Sequence, residues 1–149
     1  MPVNPLLEVN HLRTSFFSFS GEVQAVRDVS LRVQRGEIVG VVGESGSGKS
    51  VTFLSVTRLL GESGKIVGGD VRFDGENVLA MSHTQLRKMR NQGIGMVFQE
   101  PMTSLNPTIK VGTQIAERMR AFNKGISTQQ ARAESKRLLA LVRITGAKN

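Results

Sequence analysis

Apolar and polar positions alternate in two early segments of the chain, residues 7–10 and 29–33. This period of two predicts two half-buried strands. Residues 38–42 are apolar and largely β-branched without any alternation, which predicts a parallel strand covered on both faces. Residues 94–98 form a second apolar strand candidate. The pattern therefore predicts both half-buried and fully buried strands.

A helix and a short strand are predicted between these segments. Residues 51–60 place apolar side chains at helical spacing, and Gly61 follows directly as a stop signal. Val71 and Phe73 predict a short strand, because the turn pair Asp74–Gly75 comes immediately after them. Strand 38–42, a glycine-rich loop and helix 51–60 thus follow one another without interruption.

Two capping boxes mark the starts of further helices. Ser82 is followed three residues later by Gln85, and the helix that they begin runs to about Arg90. Ser127 and Gln130 repeat this spacing. A serine that accepts from the third backbone N–H, with a glutamine that reaches back, satisfies donors that a helix start leaves unpaired.

The last forty or so residues have helical patterns only. Ile115, Met119 and Phe122 recur at helical spacing, and the helix from Ser127 follows them. Residues 99–107 contain two prolines and are predicted to be a loop. We therefore expect two parts, a sheet-rich core at 1–107 and an α-helical subdomain at 108–149.

Composition narrows the class of protein. The 149 residues include no cysteine, which removes disulfides and thiolate metal sites and is compatible with a reducing cytoplasm. No apolar run approaches the roughly 20 residues of a membrane-spanning helix, and the N-terminus has no secretory signal. The net charge of +8 is spread over several candidate helices. Solvated helix faces or nearby anionic headgroups explain that spread, and no nucleic-acid partner is expected.

The strongest motif is the loop at residues 43–50. It fits the phosphate-binding pattern G-x-x-x-x-G-K-[ST] at every fixed position. Glycines let successive backbone N–H groups point inward, and the following helix start adds partial positive charge. Lys49 is expected to reach the β- and γ-phosphates of a nucleoside triphosphate, and the Ser50 hydroxyl to ligate Mg²⁺. The loop consists of Gly43, Glu44, Ser45, Gly46, Ser47, Gly48, Lys49 and Ser50.

The loop alone leaves GTPases, nucleotide kinases and transport ATPases open, and a second motif distinguishes them. Residues 97–101 read Val-Phe-Gln-Glu-Pro, so Gln99 leaves an apolar strand into a proline-stiffened loop. Its amide oxygen could ligate magnesium and move with the loop. A kinase lid or a guanine-reading Asn-Lys-x-Asp segment is not found in the sequence.

These motifs together resemble the first half of an ABC transporter ATP-binding subunit of the peptide/nickel importer group. The resemblance is carried by GESGSGKS at 43–50, by VFQEPMTSLNP at 97–107, and by the strand-forming sequence ahead of the loop. It covers nearly the whole chain. The fold that it implies is a P-loop α/β core of ABC type, with an antiparallel β-subdomain and parallel strands, followed by part of the helical subdomain.

The resemblance also implies roles for individual residues. Gln99 matches the Q-loop glutamine, a magnesium ligand and hinge. Phe16 falls near the aromatic residue that stacks on adenine, with Phe17 as the alternative and plain core packing as the bland explanation for either. Val23 would flank the base, and Val51 follows the loop in the nucleotide site.

The implied partners are membrane-spanning permease subunits, a second ATP-binding subunit and, indirectly, a solute-binding protein. The implied location is the cytoplasmic face of the inner membrane, as a peripheral protein. Such subunits use ATP and Mg²⁺ to drive transport of peptides or similar solutes. Which solute is carried does not follow from the sequence.

The sequence also departs from the family pattern. It contains no LSGGQ-like signature, no apolar strand ending in Asp-Glu and no switch histidine, so it looks truncated. Asp74 follows a strand interrupted by Arg72 and has no glutamate after it, and His11 and His83 lie at the wrong places for a switch. We therefore expect ATP binding without efficient turnover. The alternatives are a non-catalytic nucleotide-binding module and a non-transport ABC-type ATPase, including a DNA-associated one.

Overall fold

The computed structural model describes residues 4–98, 104–123 and 125–144, and they group into two compact units. Unit 1 extends to Ile94 and unit 2 begins at Gly95. The predicted division between a sheet-rich core and a helical subdomain at 107/108 stays a prediction. No helix among the described residues has the length and apolar character to cross a membrane.

Unit 1 is built on a long antiparallel hairpin. Strand β1 (Leu7–Ser18) pairs with strand β2 (Gly21–Val33) in a register that sets Leu7 opposite Val33 and Phe16 opposite Val23. Both predicted alternating segments lie in these strands, which extend well beyond them. Register shifts along the pair mark bulges, where an extra residue increases the local twist.

The hairpin becomes a four-stranded sheet of order β2-β1-β3-β4. Strand β3 (Gly64–Phe73) runs antiparallel to β1, and the two-residue strand β4 (Glu76–Asn77) pairs back onto it. Asp74 and Gly75 join β3 to β4 with φ of 52° and 80°. Positive φ at both central residues is what a tight hairpin turn needs, so the predicted turn is confirmed.

One apolar cluster fills unit 1. It is formed by side chains from β1, β2, β3, the loop helix and the segments that follow β4. Val9, Leu12 and Val71 are fully buried at its centre. The nine buried members are Val9, Leu12, Val26, Val56, Val71, Val78, Met81, Leu86 and Met89.

Helix α1 (Lys49–Val56) begins in the glycine-rich loop and is shorter than predicted. Gly61 is not its stop residue: Arg58 takes the left-handed position with φ of 51°, and Leu59 N–H donates to the carbonyl of Leu54 at 2.8 Å. This is the Schellman arrangement that usually has glycine at the left-handed position. The prediction was wrong because arginine is an uncommon residue there.

Helix α2 (His83–Lys88) starts at the predicted capping box, with both reciprocal bonds between Ser82 and Gln85 present. A π-helical turn, Met89–Gly93, extends it. From that turn the Arg90 guanidinium donates to the carbonyl oxygens of Thr57 at 2.7 Å and Arg58 at 2.5 Å. A cation thus satisfies carbonyls at the negative end of α1.

Unit 2 is a pair of helices, α3 (Val111–Phe122) and α4 (Thr128–Leu141). The capping box of Ser127 and Gln130 is confirmed at the start of α4. Ser135 on α4 is buried, and its hydroxyl donates to the carbonyl of Gly112 on α3 at 2.8 Å. This bond fixes the close approach of the two helices.

The two apolar segments predicted as strands are not strands. Residues 38–42 and 94–98 pair with no strand in the part of the chain that the structure describes. Ile38 is 98% exposed, Val42 93% and Val97 97%. An apolar run indicates a preference for burial. A parallel strand also requires hydrogen bonds to a neighbouring strand, and the run itself gives no information about that neighbour.

Candidate functional site

The candidate phosphate site is the loop of residues 43–50, which enters helix α1 at Lys49. Helix and loop are attached to the sheet of unit 1 from two sides. The Thr14 and Ser55 hydroxyls form a buried hydrogen bond of 2.8 Å between β1 and α1. Val51, half-buried in the first turn of α1, packs against the apolar cluster. The start of α1 therefore has a fixed place against the hairpin.

Two glycines of the loop are required by its backbone. Gly46 and Gly48 have φ of 80° and 91°, values that residues other than glycine rarely adopt. Gly48 is also pressed against β2, since a Cβ there would lie 2.5 Å from the carbonyl oxygen of Ala25. Only glycine leaves space for that contact, so the loop curls directly over the β2 backbone.

The Lys49 ammonium closes the loop from inside. Its Nζ donates to the carbonyl oxygens of Gly43 and Glu44, each at 2.6 Å, and to the Ser47 hydroxyl at 3.2 Å. The turn is further held by Ser47 N–H, which donates to the Glu44 carbonyl at 3.3 Å. One cation thereby lies against the backbone of Gly43 and Glu44 within the loop.

The backbone at Gly43 leaves space beside the Lys49 ammonium. A Cβ on Gly43 would meet the Ser47 hydroxyl at 2.9 Å and lie 3.8 Å from Lys49 Nζ, so the glycine keeps a small concavity open beside the ammonium. Ser45 and Ser50 are exposed, and their hydroxyls make no hydrogen bond within the described residues. A free hydroxyl in the first turn of α1 is a suitable oxygen ligand for Mg²⁺.

The residues predicted to hold the base lie on the hairpin. Phe16 and Val23 are directly paired across β1 and β2, and Val23 is 64% exposed. Val23 precedes Ala25 by two residues, so it lies only about 7 Å along the strand from the contact with Gly48. The base-side candidates are thus close in the strand to the end of the phosphate loop.

Phe16 and Phe17 have different surroundings. A Cβ built on Gly64 of β3 would be 3.0 Å from the Phe16 ring, whereas the Phe17 ring lies beneath the Lys65 ammonium, 5.6 Å from its centroid. Successive residues of a strand point to opposite faces. Phe16 shares its face of the pair with Val23, and Phe17 contacts a cation on the other.

Gln99, the predicted magnesium ligand and hinge, lies outside the described residues. Its role stays a prediction. The structure adds two positioning features that the motif did not indicate. These are the Ala25 carbonyl under Gly48 and the bond from Thr14 to Ser55. A backbone carbonyl gives no signal in a sequence, and Thr14 reads there as one polar residue of a strand.

Comparison with known proteins agrees with this geometry. The model of the ABC transporter family matches residues 26–149. The chain is 44% identical to the oligopeptide transport ATP-binding protein OppD of Salmonella typhimurium over 147 residues, which is 99% of this chain and 43% of that protein. It is 40% identical to the dipeptide transport ATP-binding protein DppD of Lactococcus lactis, over 98% of this chain and 41% of that protein.

A glutathione import ATP-binding protein, GsiA of Salmonella typhimurium, is 47% identical over 93% of this chain and 23% of its own length. Among solved structures, a dimeric ATP-binding cassette in a post-hydrolysis state with ADP and Pi aligns with a TM-score of 0.80 and 23% identity, covering 94% of this chain and 58% of that one. The chain thus spans less than half the length of these curated relatives. The cassette fold is confirmed, and the chain belongs to the ABC transporter family.

Proposed function

We propose that residues 43–50 bind the phosphates of ATP with Mg²⁺, and that the chain is the ATP-binding part of an importer for peptides or similar solutes. The observation that carries the first part is the position of Lys49 inside the glycine loop, with its ammonium on the carbonyls of Gly43 and Glu44. The relatives' names, which specify oligopeptide, dipeptide and glutathione transport, support the second part.

The residues of the site would divide the work by chemistry. The loop N–H groups and the start of α1 supply partial positive charge, and Lys49 adds a full charge at the same place. The Ser50 hydroxyl, together with Gln99, would hold Mg²⁺. Phe16 and Val23 would contact the base. ATP supplies the phosphoanhydride bond whose cleavage drives transport in this family.

We further propose that the 149 residues bind ATP without efficient turnover, because their sequence contains no Asp-Glu pair after an apolar run that would place a base beside the γ-phosphate. Coupling to transport would then require a second ATP-binding subunit and membrane-spanning permease subunits. The proposed location is peripheral, at the cytoplasmic face of the inner membrane.

Thermal unfolding with and without Mg-ATP tests the nucleotide site. We expect ATP to raise the unfolding midpoint of unit 1 and Lys49→Ala to abolish this shift, since the variant removes the only cation of residues 43–50. Lys88→Ala, an exposed lysine of the same unit, is the matched control and should keep the shift. No shift in the unmodified chain at saturating ATP would contradict the proposal.

Turnover is tested separately with the same proteins. We expect phosphate release no faster from the chain than from its Lys49→Ala variant. A steady rate that Lys49→Ala abolishes would contradict the expectation of binding without turnover, while leaving the binding site itself in place.

A further inference from the structure

The positive charge of the chain is concentrated in unit 2. Residues 1–94 contain 11 Lys or Arg and 9 Asp or Glu, whereas residues 95–149 contain 9 and 3. The shorter unit therefore has most of the net charge. A field of one sign attracts anionic partners and costs stability through self-repulsion.

Three of the nine Lys and Arg of unit 2 line a cavity of about 370 Å³ between the start of α3 and one face of α4. Lys110 and Thr113 line it from the α3 side, and Arg132 and Lys136 from α4. Arg132 and Lys136 are four residues apart, so they lie on the same face of the helix. Three cations and one hydroxyl thus surround one opening.

The three cations have no carboxylate partner among the described residues. Glu134, the acid of α4, is engaged by Arg137, whose guanidinium makes two bonds to it at 2.7 and 2.8 Å. Glu117 of α3 is not part of the lining. The cavity is therefore positive without compensation from the unit's described acids.

The positions of these three cations are electrostatically unfavourable for the helices that contain or follow them. Lys110 precedes the first turn of α3, which has no acidic residue and no side-chain cap, although the positive end of a helix favours anions. Like charges four residues apart, as in Arg132 and Lys136, also destabilise a helix. Local rules broken together at one place are typical of functional sites.

The floor of the cavity is formed by packed atoms. Ser135 is 1% exposed, and its hydroxyl donates to the Gly112 carbonyl at 2.8 Å. A Cβ on Gly112 would lie 3.4 Å from that hydroxyl, so the helices are already at contact distance. Ala131, fully buried one turn before, completes the seam. The opening is thus built into the helix pair.

We propose that this cavity binds a phosphate group, distinct from the phosphates at residues 43–50. A phosphate monoester has a charge of about −1.5 to −2 and three acceptor oxygens. Those values match three cations and the Thr113 hydroxyl, whereas a single carboxylate would leave most of the charge uncompensated. The group could be a free phosphate or the phosphate monoester of a lipid headgroup such as phosphatidic acid, since both have this charge and these acceptor oxygens.

The test uses the full chain with Lys49→Ala, which removes the cation of the other phosphate site. Inorganic phosphate is titrated while the amide resonances of Gly112 and Thr113 are followed by NMR. We expect a saturable shift of both. Lys136→Gln should weaken binding by about threefold to tenfold, because it removes one charge-assisted contact.

Arg120→Gln is the matched control, since it removes one exposed cation of α3 that does not line the cavity. We expect unchanged affinity in that variant. Equal weakening by Arg120→Gln and Lys136→Gln, or no saturable shift, would overturn the proposal. If Lys136→Gln loses helicity, Lys110→Gln, which precedes α3, replaces it.

Sedimentation with vesicles identifies the source of the phosphate. Binding to phosphatidylcholine vesicles only when phosphatidic acid is included, weakened by Lys136→Gln but not by Arg120→Gln, assigns the site to lipid headgroups. Saturation by inorganic phosphate without vesicle binding assigns it to a free phosphate. Acetate that shifts the same amides as strongly as phosphate would overturn the proposal in favour of an acidic protein segment.

Discussion

Unit 1 and unit 2 differ in the kind of internal contact that stabilises each of them. Unit 1 joins three long strands and a helix around nine buried apolar residues that come from distant parts of the sequence. In unit 2 the buried described residues are Ala116, Ala131 and Ser135. A hydrogen bond from the Ser135 hydroxyl to the Gly112 carbonyl joins its two helices. Most of the other described residues of unit 2 are exposed, and its sequence contains nine Lys or Arg against three Asp or Glu.

The two units also differ in the range of the contacts that fix their backbone, which are long-range in unit 1 and local in unit 2. In unit 1 the loop of residues 43–50 has a fixed shape because Gly48 lies against Ala25 and α1 is bonded to β1. Unit 2 relies on local signals, such as the capping box of Ser127 and Gln130, which stabilise one helix at a time. Substitutions in unit 1 should therefore cost more than those in unit 2.

The largest effect is expected for Gly48→Ala. The methyl group would meet the Ala25 carbonyl at 2.5 Å and the residue would be held at φ of 91°, which together should cost about 3 kcal/mol of unit 1 stability. Gly40→Ala is the control, because no atom lies within 4 Å of its added carbon. The stability of both variants is measured by urea unfolding, with hydrogen exchange used to monitor each unit separately. Equal effects of the two variants would contradict the packed-loop description.

A smaller effect is expected for Ser135→Ala in unit 2. It leaves the Gly112 carbonyl without its 2.8 Å donor and should cost about 1 kcal/mol. Hydrogen exchange should increase in α3 and α4 and stay unchanged in the β1–β2 hairpin. Ala140→Ser, on the exposed side of α4, is the control. Faster exchange in the hairpin would show that the units do not respond separately.

The smallest effect concerns pH. The hydrogen bond from Arg137 holds the pKa of Glu134 below its ordinary value of 4.5. Its stabilising contribution is therefore present above pH 4.5 and is lost as the pH falls through the lowered folded value. We expect wild type to be slightly more stable than Glu134→Gln at neutral pH and to lose this advantage in acid, as measured by the helical signal on heating. An advantage that persists in acid would contradict this assignment.

Local features of the fold were predictable from local residues. The capping boxes at Ser82 and Ser127 and the turn at Asp74–Gly75 each need only a few neighbouring residues, and the structure confirms them. The end of α1 was not predictable, because Arg58 rather than Gly61 takes the left-handed position. There Arg90, more than thirty residues later in the chain, supplies the donors.

The sequence by itself determined the family resemblance and the candidate phosphate loop, because glycine, lysine and serine at this fixed spacing are typical of phosphate-binding loops. Only the tertiary structure decided that Gly48 rests on Ala25, that residues 38–42 lie unpaired and exposed among the described residues, and that three cations of unit 2 face one cavity. These features depend on which distant segments meet. A linear pattern records what a residue prefers, whereas its partners are set by the path of the whole chain.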